Sequence, residues 1–116
     1  MNKFLASVAA LLVASTAAAA GSSTNTPIAI SAIDYGNNGI VVVNVQPALV
    51  AGKPSCAITN DPFYHYAFDA KTDPGKVMLA GLIAAHSAGE GLILFGTGDC
   101  ALAGGLETLG SLRAQN

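Results

Sequence analysis

Apolar and polar positions change period several times along the chain. Ile40 to Val45 is a β-branched run, and its continuous hydrophobicity predicts a strand buried on both faces. Phe63 to Phe68 alternates, with Tyr64, Tyr66 and Phe68 on one face and Phe63, His65 and Ala67 on the other, the period of a strand. Leu92 to Phe95 is a third short apolar run. Ile28 to Ile33 alternates weakly and reads as a short strand or the approach to one. Ser55 to Thr59 resumes an extended pattern that places Cys56 on a strand. Glu107 to Leu112 fits a final strand or a short turn of helix equally.

One segment has helical rather than strand periodicity. Asp73 is placed as N-cap with Pro74 at the first helical position, and Gly89 supplies the stop, so a helix over about 74–88 is expected. One face carries Met78, Leu79, Leu82, Ile83 and His86. The other carries Val77, Ala80, Gly81, Ala84 and Ala88. Neither face is charged, which predicts burial on both sides or a partner for the second, and a homo-oligomer follows as an expectation.

Turn chemistry separates these elements. Asp34-Tyr35-Gly36-Asn37-Asn38-Gly39 concentrates turn formers before the first clear strand. Gly52-Lys53-Pro54, Asn60-Asp61-Pro62 and Gly96-Thr97-Gly98-Asp99 punctuate the rest, and Ala101 to Gly105 is a run of small residues. Several short strands with a single late helix predict a mainly β fold, an OB-like five-stranded barrel with the helix before the penultimate or last strand. A ferredoxin-like sandwich needs a second helix that the pattern does not supply.

The N-terminus changes the cellular setting. Met1 to Lys3 is a short positive start, Phe4 to Val13 is almost wholly apolar, and Ala17 to Ala20 precedes Gly21. These are the three regions of a secretory signal, with cleavage expected after Ala20 and an apolar stretch shorter than the ~20 residues of a spanning helix. The mature chain is expected to be periplasmic or secreted by Sec-type export. Residues 21–27 are expected as a flexible lead-in and 28–116 as one domain, with no membrane span.

The mature residues carry four basic side chains (Lys53, Lys71, Lys76, Arg113) against seven acids, a net charge of −3. That lacks the basic stripe a phosphate backbone requires, so nucleic acid is not an expected partner. In an oxidising compartment the two cysteines, Cys56 and Cys100, read as a disulfide; a reactive thiol or metal pair lacks the CxxC or CxxH spacing.

Catalytic candidates are few. His65 and His86 are the only histidines, no metal-ligand spacing or nucleophile elbow is present, and Gly96-Thr97-Gly98 lacks the lysine of a phosphate loop. No cofactor and no enzymatic activity are expected. Asp34, Tyr35 and Asn38, with the aromatic-flanked His65, are the candidate ligand-binding residues. Amides and carboxylates recognise sugar hydroxyls, and a ring face suits a sugar's apolar side. The ordinary alternatives are an Asn-Gly turn and a packed histidine.

Several segments in order resemble a known family. They are Asn38-Gly39-Ile40-Val41-Val42, Gly52-Lys53-Pro54-Ser55-Cys56, Phe68-Asp69-Ala70 through Gly75 to Ala80, and Gly89 to Phe95 leading into Gly96-Thr97-Gly98-Asp99-Cys100. Together they resemble the secreted B-subunit-like proteins related to the binding subunit of subtilase cytotoxin, across most of the mature chain. The resemblance implies an OB-type barrel with a central helix. In the toxin subunits five copies form a ring and bind sialylated glycans. Asp34 and Asn38 match the first part of that sugar pocket. The pocket's tyrosine is replaced by Gly96, or by Phe95 in a shifted register. The expected function is an exported, non-enzymatic module binding a glycan or a protein surface as an oligomer. The alternative is a periplasmic structural or accessory protein that kept the fold without the pocket.

Overall fold

The computed structural model describes residues 21–58 and 62–115. The expected signal segment, residues 1–20, and the Asn60-Asp61 break lie outside the described residues. Five strands and one helix follow in the order β1 (Ala32–Tyr35), β2 (Ile40–Val45), β3 (Tyr64–Asp69), α1 (Asp73–Ala88), β4 (Leu92–Gly96) and β5 (Glu107–Ala114). The sheet order is β1-β2-β3-β5-β4. All neighbours are antiparallel except β3 and β5, which run parallel. This is a mainly β domain with one helix next to the C-terminal strands, as the pattern predicts.

Alternation decides which face of β2 and β3 is inside. Val41, Val43 and Val45 pair with Phe68, Tyr66 and Tyr64, and all six are buried. Each such side chain removed from water stabilises the fold by roughly 1.5–3 kcal/mol. Tyr64 and Tyr66 meet edge to face with centroids 5.1 Å apart. Leu92 and Leu94 of β4, Leu109 of β5 and Ile28 and Ile30 upstream of β1 complete the core.

The helix packs through Gly75, Leu82 and Ala85, with Met78 and Leu79 partly buried against the core. Two expectations change here. Thr72, not Asp73, is the N-cap: its hydroxyl accepts from the Gly75 N–H at 3.0 Å, and Asp73 becomes the first helical residue. His86 and Ile83 are exposed rather than part of the packed stripe. The stripe follows Met78, Leu82 and Ala85, where alanine's small side chain allows close approach, and this turns the face away from Ile83 and His86. Val77 is 73 % exposed, and Ala80, Ala84 and Ala88 are exposed with it, so among the described residues most of the second apolar face is uncovered. Gly89 ends the helix in the left-handed region at φ 70°, as expected of a glycine stop. Among the described residues no helix is long and apolar enough to cross a membrane.

One further expectation is corrected. Ser55 and Cys56 lie in a turn, not a strand, because Pro54 precedes them and the Ala57 N–H closes back on the Pro54 carbonyl at 3.1 Å. The five-strand count is met instead by β1, the continuation of the weakly alternating segment. Upstream, Ser22 and Thr24 are both buried, while Asn25, Thr26 and Pro27 are exposed. The Thr24 N–H donates to the Leu94 carbonyl at 3.1 Å, and Ile28 and Leu92 exchange two backbone hydrogen bonds of 2.9 Å. Ser23 is bridged to both Ala51 and Phe95. The stretch that continues into β1 at one edge of the sheet thus bonds to β4 at the other. The ambiguous final element is a strand, β5.

Candidate functional site

Two polar clusters stand out, one on the outer face of the sheet and one within the core. On the outer face, Asn44 of β2 lies opposite Ala32 of β1 and His65 of β3. Its amide nitrogen donates to the Asp34 carboxylate at 2.6 Å, and its amide oxygen is hydrogen-bonded to His65 Nδ1. An ionised carboxylate only accepts, so the amide must turn its NH2 toward Asp34 and its oxygen toward the ring. His65 Nδ1 therefore carries a proton and donates to that oxygen. Asn44 itself is buried while Asp34 is exposed, so a buried amide fixes the orientation of two groups at the surface.

The four sequence-derived candidates divide. Asp34 and His65 are brought together through Asn44. Tyr35 follows Asp34 directly on β1 and so points to the opposite face, where it is 61 % exposed. Asn38 belongs to the turn before β2. Its side-chain oxygen accepts from the Ile40 N–H at 3.0 Å, and its carbonyl accepts from Lys71 Nζ at 2.6 Å. The Ala70 N–H also donates to the Gly39 carbonyl at 2.9 Å, fixing the turn to the β3–α1 corner.

The second cluster centres on Glu107 at the start of β5, fully buried and in register with Tyr66. One carboxylate oxygen accepts from the Tyr64 hydroxyl at 2.5 Å and from Ser22 Oγ. The other accepts from the Ser22 N–H and the Gly98 N–H, each at 3.0 Å. Ser22 Oγ donates to the carboxylate, so at 2.7 Å it must accept from the Tyr66 hydroxyl. Burial, reinforced by the neighbouring carboxylate, raises the Tyr64 hydroxyl far above its ordinary range. Burial also raises Tyr66 to about 12. Gly96 is required here, because a Cβ at that position would overlap the Glu107 carboxylate.

Sequence reasoning missed Asn44, Glu107 and Ser22. Asn44 is the one polar residue in the β2 run, and that interruption was the available signal. Glu107 heads a strand whose next inward position is Leu109, but nothing in local sequence marks a buried acid.

The cysteines form the expected disulfide, Cys56–Cys100, with Cα atoms 6.0 Å apart. Beside it, the Asp99 carboxylate accepts from the Thr97 hydroxyl at 2.7 Å, the Ala101 N–H at 3.0 Å and the Thr108 hydroxyl at 3.1 Å. The Ala101 N–H first, then the two hydroxyls, hold its carboxyl below the ordinary value. Among the described residues no cavity opens, and no group of three or more His, Cys, Asp or Glu side chains could hold a metal. No family model matches the chain, and neither a curated protein nor a solved structure matches it.

Proposed function

We propose that the protein is an exported, non-enzymatic binding module on an OB-like barrel, recognising a glycan or a protein surface through the outer face of β1, β2 and β3. The observation that carries this reading is the Asp34–Asn44–His65 line. It presents a carboxylate acceptor and an oriented imidazole without ordering cost at the moment of binding. Asp34 is exposed and His65 partly so, which suits a ligand lying across the sheet. The barrel is supported by the segment before β1, whose bonds to β4 join the two edges of the sheet. Export is supported by the leader pattern and by the disulfide, a bond favoured in oxidising compartments. Self-association is supported by the exposed Val77, Ala80 and Ala84 at helical spacing on α1.

The second reading is a periplasmic accessory protein that kept the fold without the sugar pocket. Its support is that Asn38 uses its amide oxygen in its own turn and Tyr35 faces away from Asp34. Light scattering of the oxidised mature protein, followed by glycan-array and protein-retention assays on wild type and Asn44→Leu, separates the two. The binding reading expects an oligomer whose ligand retention is lost in Asn44→Leu. A monomer that retains no glycan or protein sinks it and leaves the accessory role.

A further inference from the structure

We propose that Glu107 is the receptor for the chain's own processed N-terminus: leader removal after Ala20 creates an α-ammonium at Gly21, and that cation is the counter-charge of the buried carboxylate. The inference rests on the leader reading given above.

Glu107 is wholly buried, yet among the described residues the hydrogen-bond donors that meet it are neutral: the Ser22 N–H and hydroxyl, the Tyr64 hydroxyl and the Gly98 N–H. A buried carboxylate without a cation is costly even when hydrogen-bonded. Among the described residues no lysine or arginine side chain forms an ion pair with it. Lys53 instead sits over the Tyr64 ring, 5.8 Å from its centroid.

The missing charge has an obvious source. Two of the four contacts come from Ser22, the residue after the expected terminus. Covalent geometry keeps successive backbone nitrogens within about 3.7 Å, so the Gly21 nitrogen lies within about 7 Å of the carboxylate. The Gly96 N–H donates to the Ser22 carbonyl at 2.8 Å, fixing the segment from its other side. Gly21 fits because it lacks a side chain: a Cβ there would overlap the Gly96 carbonyl. It is also half-buried, so an ammonium at this point keeps some water while staying within about 7 Å of the acid. In the precursor the same nitrogen is a neutral amide. Processing therefore adds a charge that strengthens the hold of residues 22–30 on β4 beyond their backbone hydrogen bonds.

The sign of the pH dependence follows. An α-amine ordinarily titrates near ~7.7–8.0, and pairing with Glu107 raises it in the folded state. The resulting stability is complete below the unfolded value and is lost as pH rises through the folded one. The groups facing Glu107 are Tyr64 and Tyr66 from β3, Ser22 from the N-terminal segment and Gly98 from the β4–β5 loop, with Lys53 over Tyr64. Both tyrosines stay protonated through this window.

The test uses protein exported from the full-length precursor, its intact mass, and denaturant unfolding between about pH 7 and 9.5. Wild type is compared with Glu107→Gln, with Lys53→Met, and with a precursor carrying an Ala-Thr insertion between Ala20 and Gly21. The expected mass shows cleavage at the 20–21 bond. Wild type and Lys53→Met should lose about tenfold in folding constant across the window, corresponding to about one unit of pKa rise. The extended protein should start about tenfold weaker and, like Glu107→Gln, show no such slope. Should Glu107→Gln fail to fold, the extended protein alone decides. Correct cleavage with identical slopes in wild type and extended protein overturns the docking. A retained leader overturns the leader reading, and the inference with it.

Discussion

Tyr66 and Glu107 are register partners across the parallel β3–β5 pair, and Ser22 joins them, accepting from the tyrosine hydroxyl and donating to the carboxylate. Three segments far apart in sequence thus meet at one buried charge. An ionised carboxylate can only accept, so every hydroxyl in the cluster has one permitted direction. A network with a single arrangement favours one strand pairing over its neighbours, because slipping β5 by one residue would turn Glu107 to the opposite face.

Removing the carboxylate should therefore be severe. Glu107→Ala leaves the Ser22 and Gly98 N–H groups and the Tyr64 hydroxyl without their acceptor, and a loss of about 3–5 kcal/mol is expected. Ser22→Ala keeps the main-chain contact and should cost about 1–2 kcal/mol. Urea unfolding checks both values, and equal effects would show that the carboxylate is not the hub.

The tyrosines set the alkaline limit. Folded Tyr66 titrates at about 12 and Tyr64 higher still, whereas unfolded tyrosine titrates near ~10. Their stability is present below the unfolded value and is lost as pH rises from there through the folded values. Each contributes up to about 1.4 kcal/mol per pH unit across that interval. Circular dichroism during a base titration should show unfolding that begins above ~10 and is shallower in Tyr66→Phe. An unchanged profile in Tyr66→Phe would remove its hydroxyl from the account.

Gly96 tests the same cluster from the backbone side. Alanine there places a methyl group on the Glu107 carboxylate, whereas alanine at Gly104 meets nothing within 4 Å. Gly96→Ala should destabilise by about 2–4 kcal/mol and Gly104→Ala by less than about 0.5 kcal/mol. Similar midpoints for the two variants would contradict the close approach.

The sequence pattern carries most of the elements, for identifiable reasons. The β-branched run of β2, the aromatic alternation of β3 and the Pro74–Gly89 bracket of α1 are local signals, and each element forms where they point. Ser55 to Thr59 misleads because a short apolar stretch next to Pro54 has no period of its own. The site is less legible because it is made by pairing. Asp34 and His65 are 31 positions apart, and only the β1–β2–β3 register places Asn44 between them. Ser22 meets Glu107 across 85 residues, a separation over which no motif operates.

Asn44 is the position where outer-face geometry can be tested without touching Asp34 or His65. Long-range proton–nitrogen NMR should find neutral His65 in the Nδ1–H form. In Asn44→Leu that form should give way to a mixture, while Val43 and Val45 keep the strand in place. A His65 tautomer unaffected by the substitution would mean that Asn44 does not orient the ring.

The disulfide acts on a different state of the chain. Cys56 and Cys100 are 44 positions apart, and on the chain-entropy model closing that loop stabilises by about 4 kcal/mol, mainly by restricting the unfolded ensemble. That is a large share of the roughly 5–15 kcal/mol typical of a domain. The folded loop has its own support: Asp99 accepts from Thr97, Ala101 and Thr108, and its carbonyl accepts from the Thr108 N–H at 2.8 Å. Reduction should therefore lower the urea midpoint sharply, yet leave the Thr108 amide protected against hydrogen exchange up to the lowered global limit. Loss of Thr108 protection well below that limit would instead assign the bond a direct role in holding the β4–β5 loop.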